Sequence, residues 1–139
     1  MRSILGSLDQ LQPLLTVSIG SPTFPTDRET YTALIDTGAT RTCITRRVVE
    51  RLRLEARRKM LVASATSTPE RRWAYSYSLG LFCSDAQPAA TTLYVIPHEF
   101  VAPWFQDNGS FDVLLGMDVL SQGDLSFRRD GWFSFAFDF

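Results

Sequence analysis

Apolar residues along the chain recur mainly with a period of two, and Gly, Pro, Asn and Asp interrupt them at short intervals. The segment Leu14–Ile19 (LLTVSI) alternates and is β-branched at Thr16, Val17 and Ile19, which predicts a strand; Gly20, Ser21, Pro22 and Pro25 then mark a turn. Tyr31–Ile35 (YTALI) predicts a second strand that stops at Asp36-Thr37-Gly38. Thr45 is placed to cap a short helix from Arg46 to Leu52 or Leu54, because Val48, Val49 and Leu52 fall one turn apart. From Lys59 to Ala65 the chain is extended, and Thr66, Ser67, Thr68 and Pro69 form a polar tip. Arg72–Phe82 returns as a strand with Trp73, Tyr75, Tyr77 and Leu79 on one face, so the two runs make a long hairpin. Further strands are expected at Thr91–Ile96, Phe111–Leu115, Leu125–Phe127 and Trp132–Phe139, with a loop over Val101–Gly109 and a short helix over Asp118–Ser121. Seven or eight short strands, little helix and no repeats predict one mostly-β domain over residues 14–139, preceded by an N-terminal extension, 1–13.

Composition narrows the chemistry. A chain of 139 residues with 45% hydrophobic and 21% charged residues is the size and make-up of one globular domain, which excludes disordered and collagenous classes. A formal net charge of -1 removes non-specific electrostatic binding to nucleic acid as a default. The basic run Arg46, Arg47, Arg51, Arg53, Arg57, Arg58 and Lys59 reads instead as a solvated face, offset by Glu50 and Glu55. His98 is the one histidine and Cys43 and Cys83 the two cysteines, too few for a His/Cys metal cluster; a His-centred triad would have to use His98. Carboxylates are left as the plausible agents of any catalysis. Met1–Thr16 holds no signal-like apolar run, no 18-residue apolar stretch occurs, and two free thiols suit a reducing compartment, so a cytoplasmic location is expected. His98 is expected on a surface loop, Cys43 as a small buried hydrophobe, and Asp118 as a charge at a helix N-terminus.

Asp36-Thr37-Gly38 directly follows an apolar strand, and about 75 residues later a second one ends in Leu114-Leu115-Gly116-Met117-Asp118. Alone, Asp-x-Gly is ordinary turn chemistry. With both motifs in this order, ALIDTGATRTCI (Ala33–Ile44) and then FDVLLGMDVL (Phe111–Leu120), the chain resembles the retropepsin-like aspartic proteases, nearer to the cellular and bacterial members than to the viral ones. The resemblance covers roughly Leu14–Phe127. It implies the closed β-barrel of that family, with one or two short helices, working as a homodimer on polypeptide and needing no cofactor or metal. Asp36 would be the catalytic carboxylate. Thr37 would brace the paired loops across the dimer, and Gly38 would let backbone lie close to substrate. Ala39 and Thr40, together with Ser64, Ala65 and Thr66 of a flap, would contact substrate. Leu114 would line a side-chain pocket, with Leu115 and Gly116 packed beneath the loop. Val62 and Leu114 suggest apolar substrate side chains near the cut.

The resemblance also implies the mechanism, in which two carboxylates share one proton and activate water. One Asp-Thr-Gly per chain means that the second carboxylate must come from Asp36 of another copy. Two departures from the family pattern stand out. Viral members usually pair an acidic residue at the position of Thr40 with an arginine at that of Met117, and both are missing here; the flap tip carries Ala65, Thr66 and Ser67 in place of glycines. In Trp132–Phe139 (WFSFAFDF), Phe133, Phe135, Phe137 and Phe139 share one face, expected to be buried by interleaving with the second copy. The alternative to an enzyme is a non-catalytic dimeric module that binds peptide or protein on the same fold.

Overall fold

The computed structural model describes residues 1–64, 67–84 and 91–139. Its spine is β6 (Ser67–Ser84), a strand of 18 residues that changes partners along its length. The first half pairs with β5 (Ala56–Ser64) and, through Tyr75–Tyr77, with β8 (Phe100–Ala102). The second half pairs with β2 (Gln12–Gly20) on one side and β7 (Thr91–Val95) on the other.

This change of partner explains why the face expected to run from Trp73 to Leu79 is not uniformly buried. Tyr77 and Leu79 lie at 0% exposure in the body of the sheet, whereas Trp73 is 51% exposed on the β5–β6 hairpin. A hairpin forms in the expected region, but Ser67, Thr68 and Pro69, expected in its tip, already belong to β6, with Ser64 paired to Ser67; Ala65 and Thr66 lie outside the described residues. β8 occupies part of the segment expected to be loop.

β2 also pairs antiparallel with β3 (Arg28–Ile35), and β1 (Arg2–Asp9) pairs with both β6 and the end of β2. β1, β2 and β6 therefore contact one another pairwise, and the sheet curls back on itself as a mostly-β fold. Two short helices, α1 (Arg46–Leu52) and α2 (Met117–Leu120), complete it.

Residues 2–9, set apart by sequence as an extension, are a working strand. β1 is hydrogen-bonded antiparallel to β11 (Trp132–Phe137) from Arg2↔Phe137 to Ser7↔Trp132. Within that register Gly6 of β1 lies opposite Phe133 and leaves room for its ring, which would stand 2.5 Å from any Cβ placed there. The expectation for the tail is also corrected. β11 lies between β1 and β10 (Gly123–Phe127), so both of its edges are occupied within one chain. Phe133, Phe135 and Phe137 are 0–1% exposed in the chain's own core, beside Val17, Ile19, Leu79 and Leu115. The aromatic face thus needs no second copy to cover it.

Thr45 is the residue before α1, as expected, yet its hydroxyl makes no cap; it donates to Asp112 Oδ1 at 2.8 Å. Four of the basic residues around this helix are paired with carboxylates: Arg46–Glu50, Arg47–Asp112, Arg51–Glu29 and Arg57–Glu99. The basic run is therefore largely neutralised where it stands. Cys43 and Cys83 are not joined in a disulfide, and no helix among the described residues is long and apolar enough to cross a membrane.

Candidate active site

The two sequence motifs meet at one three-strand junction. β9 (Val113–Leu115) pairs parallel with β3, placing Ile35 opposite Leu115, and antiparallel with β4 (Cys43–Ile44) on its other edge. The loop 36–42 thus leaves β3 on one side of β9 and returns as β4 on the other. Extended, buried apolar strands (Ala33, Ile35, Ile44, Val113 and Leu115 are all under 7% exposed) fix both ends of that loop.

Asp36 opens it. Its backbone N–H donates to Leu115 O at 3.0 Å, its carbonyl accepts from Ala39 N, and its Oδ1 accepts from Gly38 N at 2.9 Å. The carboxylate is half-buried, while Thr37 and Gly38 beyond it are exposed. A carboxylate held through its own loop has a fixed direction, and the face that it presents is open.

The rear of the loop is tied down by a different residue pair. Thr42, 1% exposed, donates its backbone N–H to both oxygens of Asp118 at 3.0 Å and its hydroxyl to Asp118 Oδ1 at 2.7 Å. The same hydroxyl accepts from Gly116 N at 3.0 Å, and the Thr42 carbonyl accepts from the Tyr77 hydroxyl at 2.8 Å. Backbone bonds from Met117 N to Ala39 O and from Asp118 N to Thr40 O complete the clasp. Thr40 and Met117, the two positions singled out in the sequence as departures, thus each take part in one of these main-chain bonds between the loops. Gly116 is required by close approach: a Cβ would stand 2.7 Å from the Arg41 carbonyl and 2.8 Å from Ala39 O, both backbone atoms that cannot swing aside.

Asp118 does lie in the first turn of α2, where its Oδ1 accepts from Val119 N, but its larger part is to hold Thr42 from 76 residues away. Sequence reasoning missed that pairing; an Asp two residues past the second motif's glycine was the available signal. In the sequence Tyr77 stands out only as one residue of a strand face shared with Trp73, Tyr75 and Leu79. Burial pushes its hydroxyl well above the usual tyrosine range, so it stays a hydrogen-bond donor. Tyr77→Phe should lower stability by about 1–2 kcal/mol, because the Thr42 carbonyl loses that donor. Denaturant unfolding checks this as a lower midpoint at unchanged slope.

Beside the loop lies a cavity of about 490 Å³. Gly38, Ala39 and Thr40 form one wall, the β5 residues Met60–Ala63 face them, and Ala102–Phe105 close the end. This brings two of the predicted contact residues, Ala39 and Thr40, and Gly38 of the Asp-Thr-Gly loop together with the hairpin. Leu114 is not in this lining; it sits half-buried in β9 between Leu34 and Cys43. The Ser64 backbone is at the end of β5, and Ala65 and Thr66 lie outside the described residues. Cys43 borders the cavity, where burial, then the carboxylates of Asp118 and Asp36, push its thiol up to about 11; at neutral pH it is protonated and a poor nucleophile.

No curated protein matches this chain. Among solved structures it is similar to a retropepsin-like aspartic protease from Rickettsia conorii, at 15% identity and a TM-score of 0.49, over 96% of this chain and 89% of that one. The sequence profile of a family described as aspartyl protease matches residues 16–119, a span that contains Asp36, Thr42, Tyr77, Gly116 and Asp118. Since that span covers well over half of its length, the chain belongs to the aspartyl protease family.

Proposed function

We propose that this chain is an aspartic endopeptidase whose dyad is made by Asp36 of two copies. The observation that carries this reading is the Asp36 loop itself: fully bonded behind, through Thr42 and Leu115, and bare in front, at Asp36, Thr37 and Gly38. A single carboxylate cannot be both base and acid in one step. Two like charges about 3 Å apart do not both ionise, so the pair holds one proton, as is established for aspartic proteases generally. The ionised member takes a proton from water, which attacks the peptide carbonyl; the protonated member polarises that carbonyl, and a proton then passes to the leaving nitrogen. Exposed Thr37 is available to brace the two loops against each other. An extended peptide would lie between the loop and the β5–β6 hairpin.

Among the described residues β10 is bonded only to β11, and this open edge supports pairing of copies. It replaces the phenylalanine strand as the surface on which we expect the copies to join. Peptide-library cleavage by wild type and by Asp36→Asn tests the catalytic assignment. Subunit mixing tests the shared dyad: with equal amounts of wild type and Asp36→Asn, activity per wild-type chain should fall to about half, because random pairing places that share in mixed dimers. Specific activity should also fall on dilution. Activity unchanged by both would show that each chain carries a complete site.

A further inference from the structure

The cavity beside Asp36 has a charge that the peptide chemistry does not require. Among the described residues its walls are uncharged except for two guanidinium groups, Arg41 and Arg72, and no carboxylate lines it. Arg72 lies over the Trp104 ring, 4.4 Å from its centroid, with its side chain 29% exposed. The carboxylate that reaches it, Glu70, is 4.0 Å away on a side chain 70% exposed to water, a weak contact. Arg41 is exposed at the end of the catalytic loop, and no hydrogen bond or ion pair holds its guanidinium among the described residues. The arginines of α1 offer a contrast: Arg46, Arg47 and Arg51 each meet a carboxylate.

We propose that this cavity receives an acidic side chain of the polypeptide substrate, held between Arg41 and Arg72, so that cleavage favours chains with Asp or Glu at one fixed distance from the cut. The inference rests on the endopeptidase reading and adds a substrate class to it. Stacking on Trp104 orients the Arg72 guanidinium in advance, so little side-chain freedom is lost when its N–H edge meets a carboxylate. Apolar walls at Val62 and Pro103 accept the methylene stem of such a residue. A lysine there would meet two like charges, which adds discrimination from the repulsive side. The Cys43 thiol, the other titratable group of the lining, stays neutral below its pKa of about 11 and does not oppose an anion.

The test begins with a peptide library cleaved by wild type, read for acidic enrichment at each position. At the enriched position Glu is then exchanged for Gln and for Lys. The Glu peptide should exceed the Gln peptide in kcat/KM by about fivefold, the scale of a partly exposed charge pair. That ratio should fall toward one in Arg41→Gln and Arg72→Gln. It should also fall in wild type as pH drops through the substrate carboxylate's own pKa of about 4.3. Cleavage without acidic preference at any position, or a preference that survives both substitutions, overturns the proposal and leaves the endopeptidase reading standing. No cleavage of any peptide removes that reading, and the proposal with it.

Discussion

Asp36→Asn is expected to abolish peptide cleavage, by a factor of at least about a thousand in kcat/KM, while leaving the fold intact. The amide has the shape of the carboxylate, and its oxygen can still accept from Gly38 N, the one side-chain bond that Asp36 makes among the described residues. What it cannot do is take a proton from water or share one with a second carboxylate. Thermal or denaturant unfolding should therefore match wild type while cleavage disappears. Equal cleavage by both proteins would remove Asp36 from the chemistry. Inactivity of both, on a diverse library over a range of pH, would favour the peptide-binding module.

Asp118→Ala should cost about 3 kcal/mol, lowering Tm by roughly 10 °C, and should reduce activity even where the protein is folded. Thr42 is 1% exposed, so its N–H and hydroxyl would lose their acceptor in a place that water hardly reaches. Charge-assisted bonds from a backbone N–H to a carboxylate are among the stronger ones, and here two oxygens receive it. Asp118→Asn keeps one acceptor oxygen but turns an N–H group toward Thr42, so its stability should fall between the two. Calorimetry orders the three proteins. If Asp118→Ala melted with wild type, the clasp would not be what holds the loop.

Much of this architecture was readable locally. Tyr31–Ile35 is apolar and β-branched at Thr32 and Ile35, and Asp36-Thr37-Gly38 cannot continue it, so strand and loop follow from adjacent residues. The β5–β6 hairpin is similarly local. Other features depend on partners far along the chain. β1 has serines and a glycine between its few apolar residues, and its place is decided by the backbone of β11 and the Phe133 ring over Gly6. The alternation in Trp132–Phe137 gave the correct buried face but could not tell whether the same chain or another covers it. The Asp118–Thr42 clasp joins two polar residues, each with an ordinary local explanation, and becomes visible only when β9 lies between β3 and β4. Arg41, Arg72 and Trp104 come from three segments, and nothing in their spacing announces a shared cavity.

The parallel pairing of β3 with β9 also governs when the site can exist. Ala33 meets Val113 across an intervening chain of about 80 residues, and closing a loop of that length costs roughly 4 kcal/mol in chain entropy before any contact repays it. Such non-local pairing belongs to the late, cooperative part of folding. A growing or partly unfolded chain contains the Asp36 segment but neither Leu115 to anchor it nor Asp118 to clasp it. The loop geometry is thus a property of the finished fold alone, and an incompletely folded chain does not yet hold Asp36 in its setting.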